Sequence, residues 1–73
     1  MQIGLIKGQR HCTLSLQEDL LGKVYVFQLV SQVNLNQTTK WSRVFEFDNM
    51  AAANQVLFDI ESRYRNRGYS YCN

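Results

Sequence analysis

Seventy-three residues without proline leave room for one small domain, expected over 1–73. At such lengths only about 60% of the unfolded surface is buried, so a protein partner or a homo-oligomer would reinforce the core. Hydrophobic and aromatic contents of 45% and 12% exclude a disordered chain, and a net charge of +2 is too small to mark a nucleic-acid binder by itself. No apolar run nears the roughly 20 residues that cross a bilayer, and "MQIGLIKGQR" lacks the basic leader and apolar length of a signal peptide. A cytoplasmic protein with no membrane association is expected.

In chain order, "HCTLSLQ" alternates, with Cys12, Leu14 and Leu16 on one face and Thr13, Ser15 and Gln17 on the other, as a half-buried strand does. "QEDLLGK" breaks the pattern, and Gly22-Lys23 predicts a turn. Val24–Val33, "VYVFQLVSQV", is dense in β-branched and aromatic residues. Its first half is apolar on both faces, which predicts a central strand. "NLNQTTK" reads as a polar connection, with Asn34 and Asn36 suited to a turn. "WSRVFEF" returns as a strand that projects Trp41, Arg43, Phe45 and Phe47 to one side and Ser42, Val44 and Glu46 to the other.

A helix follows, capped by Asp48 or Asn49, whose short side chains accept a bond from a first-turn amide. Met50, Ala53, Leu57, Ile60 and Tyr64 recur at spacings of three and four and form an apolar stripe that Val56 widens. Gly68 suits the left-handed position just past the helix end, and "YSYCN" adds a short extended segment. The fold class predicted is α+β, a small antiparallel sheet with one long C-terminal helix packed across it.

Catalytic and metal chemistry find little support in the residues. His11 and Cys12 are neighbours on a strand, so their side chains point to opposite faces and cannot readily share a proton. With Cys72 they lack the paired spacing by which two ligands of one turn grip zinc. Cys12 and Cys72 are expected as free thiols in a reducing compartment. Glu18, Asp19, Asp59 and Glu61 read as solvated, and "GLIKG" has no following helix to make a phosphate loop. The expectation is a protein that is not an enzyme and has no cofactor.

Trp41 poses the sharper question. A strand tryptophan normally lies beneath the helix, yet Arg43 shares its face and a guanidinium is not buried without a partner. Either Arg43 lies at a sheet edge, or this end of the strand opens to a ligand.

These blocks resemble the WGR domain family, named for a Trp-Gly-Arg motif on a strand. "GKVYVFQL" (residues 22–29) is similar to the family's opening segment of the type "NKFYxIQL". "KWSRVF" (40–45) is similar to its "RWGRVG", and "FDNMAAANQVLFDIESRYRNRGY" (47–69) to its aromatic residue, early-alanine helix and basic Gly-Tyr ending. Ser42 stands where the motif has glycine, Phe45 where a second glycine follows the valine, and the family's short glycine-bearing loop after the motif is absent.

Such domains in poly(ADP-ribose) polymerases bind damaged DNA and neighbouring domains, the tryptophan packing on a terminal nucleotide's sugar and the arginine contacting adjoining protein. The resemblance therefore implies a non-enzymatic module that binds nucleic acid, at DNA ends or nicks, with Trp41 as platform, Arg43 as companion and Lys40 on phosphate. Arg63, Arg65 and Arg67 would neutralise further phosphates, although such a cluster also complements a helix C-terminus. The alternative expectation is a protein-interaction module, such as a small phage or plasmid factor that blocks or adapts a larger complex, using Trp41, Tyr69 and Tyr71.

Overall fold

The structure is a computed structural model that describes residues 1–72. Five strands, β1 (Gln2–Lys7), β2 (Arg10–Glu18), β3 (Val24–Asn34), β4 (Gln37–Phe47) and β5 (Ser70–Tyr71), form one sheet, with α1 (Met50–Asn66) between β4 and β5. All pairings are antiparallel, in the order β4-β3-β2-β1-β5. The α+β architecture is the one that the alternating and helical patterns predict.

Strand alternation sorts the residues. Leu5, Cys12, Leu14, Val24, Val26 and Val30 point to the helix side, where Ala53, Leu57, Ile60 and Tyr64 meet them in one core. Asn49 caps α1, its Oδ1 accepting from the Ala52 amide at 2.8 Å. The opposite end closes with the two bonds of a Schellman turn, Tyr69 N–H to the Tyr64 carbonyl and Gly68 N–H to that of Arg65. Gly68 supplies the left-handed backbone, φ 96°, that this turn needs. Rings of Tyr64 and Tyr69 meet edge to face at 4.8 Å, the apolar contact that accompanies such a turn.

Three details differ from the pattern. β1 is a full strand, where the sequence reading assigned none: six residues with Gly4 in their middle carry a weak period-2 signal. Gly4 gives room to a close approach, since a Cβ there would lie 2.8 Å from Cys72 Sγ and 3.1 Å from the Cys72 carbonyl oxygen. The connection after β3 is only Leu35-Asn36, because pairing continues to Asn34–Gln37. Leu35 adopts φ 55°, which makes the tight loop possible at a steric cost. Finally, β3 is interior, paired on both edges, but β2 is the middle strand. The helix covers only one sheet face, so the second apolar side of β3 lies open.

Candidate functional site

β4 is the outermost strand, so Arg43 does lie at a sheet edge, and the same end of the strand also opens. Beyond the last turn of α1 the helix no longer covers the sheet, and Trp41 there is 41% exposed. A groove of about 510 Å³ is lined by Lys7, Arg10, Val30, Trp41, Tyr64, Arg67 and Tyr69. It adjoins a cleft of about 190 Å³ that shares Trp41, Tyr64 and Arg67 and adds Gln28, Arg43, Phe45, Ile60 and Arg63. Five cations thus surround one exposed indole, and among the described residues no carboxylate lines either cavity.

Each cation is held there by local structure. Lys7 and Arg10 are paired residues flanking the tight Gly8-Gln9 turn, so both project to the helix side. Lys7 Nζ donates to the Arg67 carbonyl, tying β1 to the orphan carbonyls at the helix end. Arg43 Cζ lies 5.7 Å from the Trp41 ring centroid and 5.9 Å from that of Phe45, between its two aromatic neighbours on the strand. Arg63 and Arg67, one helical turn apart, face the same cleft.

The other basic residues lie elsewhere. Arg65, half a turn from Arg63 and Arg67, stacks over Tyr71 at 4.7 Å and donates to the Tyr69 carbonyl at 3.1 Å. Lys40 pairs with Ser31 and by alternation occupies the opposite sheet face from Trp41. Of the six residues expected to act together, the structure therefore gathers Trp41, Arg43, Arg63 and Arg67, and separates Lys40 and Arg65 from them. It adds Lys7 and Arg10, which sequence reasoning passed over. Their one local signal is the glycine of "KGQR", a hairpin turn with a cation on either side.

The floor beneath the indole is polar but satisfied. Gln28 Nε2 donates to the Tyr64 hydroxyl at 2.9 Å. Burial pushes the Cys12 pKa up, partly offset by the Tyr64 hydroxyl. Burial likewise raises Tyr64, and the neighbouring Cys12 adds to the effect. His11, by contrast, is exposed on the other sheet face, and both cysteines are free.

Charge is segregated along the molecule. At the far end, Lys23 bonds Glu46 and Asp48 at 3.0 Å each, which holds its ammonium pKa above the ordinary value. Beside it, desolvation works against the Asp19 carboxylate. The amides of Leu21 and Lys23, the Tyr25 hydroxyl and the Lys23 charge outweigh it and lower its pKa. The turn so fixed leaves Leu20 and Leu21 almost wholly in solvent.

Among the described residues no group of three or more His, Cys, Asp or Glu side chains could hold a metal ion, and no helix is long and apolar enough to cross a membrane. No family model matches the chain, and neither a curated protein nor a solved structure matches it.

Proposed function

We propose that this chain is a non-enzymatic module that binds nucleic acid in the groove beside Trp41. The observation that carries the reading is the half-exposed indole among Lys7, Arg10, Arg43, Arg63 and Arg67, with no carboxylate of the described residues on the groove wall. An aromatic plane stacks on an unpaired or terminal nucleotide, worth about 1–3 kcal/mol, while cations around it hold phosphates. An edge-strand position leaves room for a polymer to pass, which a closed pocket would not. The resemblance to WGR domains supports the same residue, Trp41, as the platform and suggests DNA ends or nicks as the target. Free thiols on opposite sheet faces suit a reducing cytoplasm.

Trp41 is the only tryptophan, so its emission tests the reading directly. The chain is titrated with a nicked duplex, an intact hairpin-closed duplex and a single strand, at low and moderate salt. Quenching by the nicked duplex or the single strand, lost as salt rises, is the expected result. Emission that stays unchanged with all three nucleic acids rejects the groove as a nucleic-acid site.

A protein-interaction role is the second reading, favoured by Leu20 and Leu21 at the tip of a rigid turn. Binding through such a surface changes little with ionic strength, which separates it from phosphate recognition.

A further inference from the structure

The sheet face opposite the helix is polar along β2, with Thr13, Ser15 and Gln17, as a one-sided antiparallel sheet ordinarily is, but apolar on the adjoining part of β3 and β4. On β3 it presents Tyr25, Phe27 and Leu29 in succession, and Val44 of β4 stands directly across from Phe27. The rings of Tyr25 and Phe27 are 6.2 Å apart, Leu29 is 45% exposed and Val44 55%. No element among the described residues covers them. Contiguous apolar patches of this kind mark association surfaces.

The charges on this face indicate what covers it. Within the strands, alternation places one cation and one anion there, Lys40 and Glu46, both on β4. Lys23, from the turn before β3, already bonds one oxygen of Glu46 at 3.0 Å, so a second cation would share that carboxylate. Lys40 and Glu46 lie on either side of the apolar centre, about 20 Å apart along the strand. Consider a two-fold axis between two such faces, perpendicular to the strands at the level of Arg43. It sets β4 antiparallel over its copy and brings Lys40 opposite the partner's Glu46, twice. The same operation lays Phe27 over the partner's Leu29, since these residues are the cross-strand neighbours of Val44 and Ser42. The acidic end around Asp19 and Asp48 then faces the basic end of the second copy. One patch is thus complementary to itself, which is the requirement of an isologous interface.

Its size suffices. Four strands at about 4.8 Å spacing and roughly 3.3 Å per residue give the whole face, its apolar centre on β3 and β4 together with the polar rim on β1 and β2, on the order of 600 Å². Two copies bury on the order of 1,200 Å², above the roughly 1,000 Å² expected of a specific interface.

We propose that the chain forms a two-fold dimer by stacking these open sheet faces, centred on Phe27, Leu29 and Val44 and flanked by two Lys40–Glu46 pairs. Both Trp41 grooves lie on the outer sides of this sandwich, at opposite ends, and stay accessible.

Sedimentation velocity on the full chain, from low to high micromolar concentration, tests the dimer without nucleic acid, so its outcome is independent of the groove. A monomer–dimer equilibrium is expected. Val44→Arg should give monomer throughout with its far-ultraviolet circular dichroism unchanged. Lys40→Glu, which sets one carboxylate against the partner's Glu46 at each of the two flanks, should weaken the dimer about tenfold or more, and Lys40→Gln by less. Leu29→Lys provides an independent check should Val44→Arg fail to fold. A wild-type monomer at the highest concentration overturns the proposal. So does a dimer that survives Val44→Arg or Leu29→Lys, as pairing through the free edge of β4 would, or one indifferent to Lys40→Glu.

Discussion

The amide of Gln28 and the hydroxyl of Tyr64, 2.9 Å apart, are the polar join between sheet and helix under the Trp41 groove. Gln28 is the one polar residue that the sheet buries among the described residues, at 7% exposure. Removing the hydroxyl in Tyr64→Phe leaves a buried amide short of a partner, which costs about 1–3 kcal/mol. In a domain of this size each kcal/mol lowers Tm by about 4–8 °C. Thermal melts should show this loss, and Gln28→Met/Tyr64→Phe should lose less than the two single changes added together. Strict additivity would mean that the bond is not a coupled one.

Cys12 and Tyr64 make stability depend on alkaline pH with a definite sign. Both hold their protons more tightly when folded, chiefly through burial, so their folded pKa values lie above the ordinary 9.0 and 10.0. Well below pH 9 neither ionises appreciably in either state and the native contribution is complete. As pH rises through 9 and 10 the unfolded chain loses these protons first, and stability falls. Tyr25, raised mainly by desolvation, and Tyr71, raised mainly by its bond to Glu61, act in the same direction. Denaturant titrations should therefore be flat from neutrality to about pH 8.5 and decline above it. In Cys12→Ala the earliest part of the decline should vanish.

Groove cations and the other cations should separate cleanly in salt dependence. Each phosphate contact adds about 0.7 to 0.9 to the slope of log affinity against log salt. Arg67→Gln and Arg10→Gln should each weaken binding and lower the slope by about that amount. Arg65→Gln and Lys40→Gln, which change charge equally but lie outside the groove, should leave it almost untouched. Equal effects from all four would mean that net charge alone, rather than the groove, attracts the nucleic acid.

Leu35 is an inexpensive site to improve. It is exposed, and its φ of 55° is a conformation that a β-carbon resists by about 1–2 kcal/mol. Leu35→Gly relieves that strain at the cost of extra freedom in the unfolded chain. A net gain of about 0.5–1 kcal/mol should appear as a Tm higher by several degrees.

Much of this architecture is legible in the residues because its elements are local. Period-2 alternation identifies β2 and β4, the three-and-four spacing identifies α1, and Asn49 and Gly68 mark its ends by side-chain chemistry and backbone freedom. What sequence reading missed depends on contacts between distant segments. Gly4 makes β1 look broken, yet its bare Cα lies against Cys72 from the far end of the chain. The same holds for the groove. Arg43, Arg63 and Arg67 stand out beside Trp41, but Lys7 and Arg10 join them only through the order of strands. Alternation alone already separates Lys40 from Trp41, and helical spacing separates Arg65 from Arg63.

The two-stranded pairing of β5 with β1 joins opposite ends of the chain, Leu5 with Tyr71 and Ile6 with Ser70. Hairpins β1–β2, β2–β3 and β3–β4 close short loops and can form early, whereas this pairing must wait for everything between. Lys7, Arg67 and Tyr69 meet only when it closes, so a growing or partly folded chain has the indole but not its surroundings. The groove is thereby complete only once the first and last strands of the chain have found each other.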